Sequence, residues 1–148
     1  MADQDKNSKA SDNNRPIDVT CAIIEENGQV LAAQRGPRMT MPFKWEFPGG
    51  KINPGESAEN CIIREIKEEL GIEIQIKALL PTSSHAYPDL HVRLHPFVCR
   101  VIQGRMKPAE HHAIQWTGHD QLLSLEWAEA DVAVVQSYLD YRLEKQGV

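Results

Sequence analysis

The stretch from Pro48 to Gly71 constrains this chain more than any other. Pro48-Gly49-Gly50 reads as a turn that frees the backbone for unusual angles. Ser57 stands where a helix cap belongs. Ala58, Ile62, Ile66 and Leu70 recur at four-residue spacing as a buried stripe, and Gly71 supplies the C-terminal stop. The spacing predicts an amphipathic helix.

The flanking residues read as strands. Ile17 to Ile24 and Val30 to Ala33 lie either side of Asn27-Gly28, a hairpin signal. Pro37 to Lys44 is expected as a loop and Trp45-Glu46-Phe47 as a short extended piece. Ile72 to Leu80, the region of Leu90 to Ile102 and Ala113 to Thr117 read as further strands, with Tyr87-Pro88-Asp89 as a turn between pairs. A short helix near His119 to Leu125 and a longer one from about Ala130 to Glu144 follow, the latter with Val132, Val135, Tyr138 and Leu139 as its apolar face. These elements form a mixed sheet with helices, an α/β (α+β) arrangement in one domain over residues 17–146. Residues 1–16 hold Asp, Asn, Ser and Lys with almost no apolar side chain, which predicts a flexible tail.

A formal net charge of −5 disfavours a role in coating a nucleic-acid polymer, so a phosphate ligand would need local neutralisation. Cys21, Cys61 and Cys99 lie far apart without CxxC spacing, which points to a reducing, cytoplasmic setting rather than a disulfide scaffold or zinc ribbon. The polar start and the lack of a long apolar run predict neither export nor a membrane anchor. The histidines His85, His91, His95, His111, His112 and His119 match no zinc spacing.

Within the helix, Glu65, Glu68 and Glu69 stand at i, i+3 and i+4, which brings three carboxylates onto one side, with Ile62, Ile66 and Leu70 on the other. Like charges so spaced oppose the helix by roughly 0.2 to 0.5 kcal/mol per pair, and Arg64 offsets part of this by pairing with Glu68. A solvated charge run is one reading. The other is a cradle for a hard divalent cation, since magnesium is held by a few carboxylates together with waters and substrate phosphates.

Outward from the helix the segment runs Gly50, five residues, Glu56, seven residues, Arg64-Glu65-Ile66, one residue, Glu68-Glu69, one residue, Gly71-Ile72. This resembles the signature of the Nudix hydrolase superfamily, whose members split a nucleoside diphosphate linked to another moiety. The resemblance implies the Nudix-type α/β/α sandwich and magnesium, for which manganese substitutes. Glu65, Glu68, Glu69 and the Gly50 carbonyl would be ligands, with Glu56 and Arg64 as supports. Glu65, which would sit between metal and water, is the expected base that takes a proton from the attacking water, with Glu110 as a second candidate. Glu110, on a later loop, matches an additional metal-ligating glutamate of the MutT-like branch; an exposed loop acid is the alternative.

Several segments carry the likeness to MutT-like nucleoside triphosphate pyrophosphohydrolases: Ala32 to Arg35, Trp45 to Lys51, Tyr87 to His91 and Trp127 to Val132. By that resemblance Arg35 is a donor towards base or phosphate and Phe47 an apolar wall, with Lys51 and His91 on the substrate side. Sheet-edge cover and simple core are the alternatives for Arg35 and Phe47. Asp131 stands where 8-oxoguanine enzymes of the branch place asparagine. A carboxylate only accepts hydrogen bonds, which suits a base presenting amino or imino hydrogens, cytosine or guanine. Its alternative is a helix-start residue favoured by the macrodipole. The expected activity is conversion of an unmodified or damaged (d)NTP to the monophosphate and pyrophosphate, by a monomer or homodimer engaged in nucleotide-pool housekeeping. A hydrolase of ADP-ribose or another nucleoside diphosphate conjugate is the alternative within the class, and an inactive nucleotide-binding module the alternative outside it.

Overall fold

The structure is a computed structural model and describes residues 15–107 and 113–146. The expected tail, apart from Arg15 and Pro16, and Glu110 therefore lie outside the described residues. β1 (Ile17–Glu26) turns through Asn27 (φ 53°) and Gly28 (φ 78°) into β2 (Gln29–Gln34), with Glu26 opposite Gln29. Positive φ at both central residues is the geometry that twists with the strands, which is why Asn-Gly marks the hairpin.

β3 (Trp45–Glu46) pairs with β2, and β4 (Gly49–Lys51) pairs antiparallel with the first half of β1. β5 (Glu73–Leu79), β6 (Ser83–Tyr87) and β7 (Leu90–Gln103) follow helix α1 (Ala58–Leu70). β6 and β7 form a hairpin around Pro88-Asp89, and β7 runs parallel to β1 from Ile17 opposite Val92 to Glu25 opposite Arg100. β8 (Ala113–Gly118) pairs with β2. A 3-10 turn (His119–Ser124) leads towards α2 (Glu129–Gln146). The main path of the sheet is β3-β2-β1-β7-β5, mixed as expected.

Alternation along β1 serves two cores. Ala22 and Ile24 pack with Ile62, Ile66 and Leu70 of α1, whereas Cys21 and Ile23 pack with Val134, Val135 and Tyr138 of α2. One helix on each face makes the α/β/α sandwich. Ser57 Oγ accepts from Asn60 N at 3.1 Å, a cap worth about 1 kcal/mol, and Gly71 ends the helix at φ 74°.

Two expectations need correction. Gly49-Gly50 is not a turn of unusual angles but a strand, and the glycines are required by close approach. A Cβ on Gly49 would meet the backbone of Thr20 and lie 2.7 Å from Cys21 Cα, while one on Gly50 would run into the Glu65 carboxylate. Val132 is exposed at 54%, and Val134 takes the buried place in α2, because the stripe follows the α2 surface that faces the sheet rather than the apolar residues nearest the helix start.

Candidate active site

The Gly50–Ile72 segment closes on itself through Arg64. Its Nε donates to Glu56 Oε2 at 2.7 Å and its Nη2 to Glu56 Oε1 at 3.0 Å, a two-point fork, while Nη1 reaches Glu65 Oε2 at 3.0 Å and Glu68 Oε1 at 3.2 Å. The Arg64 fork lowers the Glu56 carboxyl to about 2. Glu56 Oε1 also accepts from Asn53 N at 3.0 Å, a bond within the loop that holds the carboxylate Arg64 grips.

The three glutamates do not share one solvated face. Glu68 has a 61% exposed side chain, Glu65 is half-buried and Glu69 is buried at 6%. Glu69 lies on the rim of the stripe that buries Leu70, so the four-residue spacing carries it inward. Burial pushes the Glu65 carboxyl above its ordinary value against the pull of Arg64. Its carboxylate lies directly over Gly50, in the space a side chain there would fill. The Gly50 carbonyl is held by Thr20 Oγ1, which donates at 3.1 Å, and by Cys61 Sγ at 3.6 Å. Thr20 is fully buried on β1, the strand that pairs with β4.

A cleft of about 280 Å³ opens on the α2 face of the same strands, and it is lined by Arg35, Glu46, Phe47, Tyr87 and Asp131 among others. Phe47 stacks on Trp127 with centroids 4.6 Å apart, so it serves as both core and cleft wall. Arg35, 2% exposed, turns its donors onto the protein: Nη1 to Glu46 Oε1 at 2.8 Å, Nε to Thr40 O at 2.5 Å and Nη2 to Thr40 Oγ1 at 2.8 Å. It thus staples the loop before β3 to Glu46.

Asp131, 7% exposed in the first turn of α2, accepts from Phe47 N at 2.9 Å. Burial, reinforced by the Glu46 charge, pushes its carboxyl well above the ordinary value, against the opposing pulls of the Phe47 amide and Arg35. In its protonated form this carboxyl donates as well as accepts, which is the hydrogen-bonding range of an asparagine, whereas in its charged form it only accepts. Tyr87 Oη accepts from Ala130 N at 2.9 Å at the rim.

Arg35, Phe47 and Asp131 therefore meet at one cleft, and Gly50, Glu56, Arg64, Glu65 and Glu68 at one loop and helix. Two expected residues do not join the cleft. Leu90, Val92 and Leu94 line it, so strand alternation places His91 on the other face, and the exposed Lys51 lies outside the lining. Sequence reasoning passed over Glu46, Thr40 and Tyr87 as site residues. For Glu46 the only signal is an acid between two aromatics in a strand-like segment.

Oxygen donors of this kind suit a hard divalent cation, and the glycine at position 50 leaves room beside its own carbonyl for a carboxylate. Among the described residues no three carboxyl, imidazole or thiol side chains are gathered around one point, because Arg64 draws Glu65 and Glu68 to itself. The donor set fits the ion in kind, and the Arg64 ion pairs are its alternative partners.

The NUDIX domain family matches residues 14–138. The chain is 32% identical over 126 residues to the CTP pyrophosphohydrolase of Escherichia coli (strain K12), covering 85% of this chain and 93% of that protein. It is 40% identical over 76 residues to the 8-oxo-dGTP diphosphatase of Proteus vulgaris, covering 51% of this chain and 68% of that one. The solution structure of the E. coli ORF135 protein superposes with a TM-score of 0.76 at 30% identity, covering 91% and 96% of the two chains. No helix among the described residues is long and apolar enough to cross a membrane. With the domain match spanning most of its length and its likeness extending over nearly the whole of a curated relative, the chain belongs to the Nudix hydrolases, in their MutT-like branch.

Proposed function

We propose that the chain is a magnesium-dependent nucleoside triphosphate pyrophosphohydrolase that releases the monophosphate and pyrophosphate. The observation that carries this reading is the seating of the Glu65 carboxylate on Gly50, with Arg64 and Glu56 locking loop to helix, one strand layer away from a base-sized cleft. Relatives named for CTP and for 8-oxo-dGTP support a mononucleotide substrate.

Glu65, Glu68, Glu69, the Gly50 carbonyl and, on the later loop, Glu110 would hold the ion. Magnesium held there would neutralise phosphate charge and acidify a water. Glu65 takes the proton of the attacking water as its oxygen bonds to phosphorus and the anhydride P–O bond breaks, the electron pair leaving with pyrophosphate. Glu56 and Arg64 keep the ligands aimed before substrate arrives. Phe47 forms the apolar wall for the base and Asp131 a hydrogen-bonding contact to it.

Incubation of the purified chain with magnesium and each nucleoside triphosphate, oxidised and methylated bases included, tests the proposal. Pyrophosphate is expected from at least one. Its absence from all of them overturns the reading. ADP-ribose in the same panel decides against the conjugate hydrolase if it is cleaved more slowly.

A further inference from the structure

Gly50 has no side chain to steer its peptide, because Glu65 occupies the space where a Cβ would stand. A glycine backbone turns more freely than any other, and β4 is only three residues long, so the aim of the Gly50 carbonyl depends on what touches it. Its register partner on β1 is Thr20, fully buried, whose hydroxyl donates to the Gly50 oxygen at 3.1 Å. From α1, Cys61 Sγ lies 3.3 Å from Thr20 Oγ1, 3.4 Å from the Lys51 oxygen and 3.6 Å from the Gly50 oxygen. Three elements thus meet at one main-chain oxygen.

We propose that Thr20 is a positioning residue for the reaction: its hydroxyl, backed by the Cys61 thiol, sets the direction in which the Gly50 carbonyl faces the divalent cation. This rests on the proposed function, which makes that carbonyl a ligand, and extends the site to a strand outside the Gly50–Ile72 segment. A carbonyl oxygen accepts close to its own peptide plane, so a hydrogen bond from a buried side chain fixes how that plane is turned. A ligand aimed before the ion arrives needs no rearrangement to bind it. The same hydrogen bond draws electron density from the oxygen, which by itself would weaken it as a ligand. The sign of the effect on cation affinity therefore separates aiming from competition.

The available hydrogens support this arrangement. The two carbonyls only accept, so the hydroxyl and the thiol must supply the protons. An oxygen is a better acceptor than sulfur, which directs the Thr20 hydrogen to Gly50 and leaves the thiol hydrogen for Thr20 Oγ1 or Lys51. His95 stands beside Thr20 in the parallel pairing of β1 with β7, but its Nε2 is engaged with Asp18 at 2.8 Å. A simpler role for Thr20 is that of a core hydroxyl bonded to the nearest acceptor. Valine has the same branched shape and the same preference for strands, so the two roles part only at the cation.

The test follows the binding of magnesium alone to the full chain without nucleotide. Gly50-Lys51 is the one Gly-Lys pair in the sequence, so carbonyl-labelled glycine with nitrogen-labelled lysine marks a single peptide for NMR. Magnesium should shift that carbonyl signal in the unmodified chain, and the titration gives its Kd. Thr20→Val should move the signal of the metal-free chain and raise the Kd by about tenfold or more, whereas Thr20→Ser, which keeps the hydroxyl, should stay within about threefold. Cys61→Ala should move the signal in the same direction with a smaller rise in Kd. In turnover, Thr20→Val should need more magnesium for half-activation, yet approach the unmodified kcat and nucleotide KM when magnesium saturates. A Kd for Thr20→Val that is unchanged or lower overturns the positioning role, and so does an unmoved metal-free signal. If Thr20→Val does not fold, Thr20→Ala takes its place with the same results required. A carbonyl signal that ignores magnesium in the unmodified chain is not that of a ligand, and it overturns the proposal whatever the turnover. If magnesium shifts the signal as expected but no nucleotide is cleaved, the hydrolase reading fails and the positioning role stands.

Discussion

Arg64 grips Glu56 through two parallel hydrogen bonds, of 2.7 and 3.0 Å, across eight residues of sequence. The loop that ends at Glu56 and the helix that carries the three glutamates thereby move as one body. Glu56 has a carboxyl lowered to about 2 from 4.5, so the grip contributes stability that is present above pH 4.5 and lost as pH falls towards 2. Thermal melts should find Glu56→Gln less stable than the unmodified chain at neutral pH, with the gap closing on acidification. Turnover of that variant should fall by about 10- to 100-fold at neutral pH, the usual consequence of freeing a support of metal ligands. A gap that stays constant with pH would show that the carboxylate charge has no part in it.

Adjacent glycines should separate fold from chemistry. At Gly49 an added Cβ meets backbone of β1, which cannot yield without parting β1 from β4, so Gly49→Ala should cost about 1 to 3 kcal/mol or more in a denaturant titration. At Gly50 the obstacle is the end of a side chain, with Glu65 Oε2 2.5 Å from the added carbon. Gly50→Ala should therefore fold nearly as well yet lose about 100-fold in turnover, because the carboxylate is displaced. Equal behaviour of the two variants would contradict this division.

Glu65→Gln and Glu68→Gln should each leave the circular dichroism spectrum unchanged while lowering pyrophosphate release by about two orders of magnitude or more. Glu68 has a largely exposed side chain and, among the described residues, a hydrogen bond to Arg64 alone, so its loss removes little packing. Full rates in both variants would undo the site assignment.

Asp131 makes a prediction of opposite sign to Glu56. Its carboxyl is raised in the folded chain, so its contribution is intact below pH 3.8 and becomes a penalty as pH rises above it, where the unfolded chain ionises and the folded one resists. Asp131→Asn removes that penalty. Melts should show it gaining stability relative to the unmodified chain between acid and neutral pH, and a relative loss over that interval would refute the neutral acid.

Local information sufficed for the parts of this protein that are themselves local. The Ser57 cap, the stripe of Ile62, Ile66 and Leu70, the Gly71 stop and the Asn27-Gly28 turn all act through neighbours within one or two turns of chain, and each stands where its residue type placed it. The Arg64 pairing with Glu68 was legible for the same reason, being an i,i+4 contact. What required the tertiary structure was everything decided across strands. The glycines at 49 and 50 read as flexible, but it is β1 and Glu65 that make a side chain impossible there. Arg35 read as a ligand donor, but Thr40 and Glu46 claim its hydrogens. Asp131 read as a charge, because nothing in the residues around it in sequence reveals that Phe47, Glu46 and a buried strand lie against it. A side chain's type states which interactions it can make; only the fold, by removing water and choosing the partners, states which of them it does make and in which protonation state.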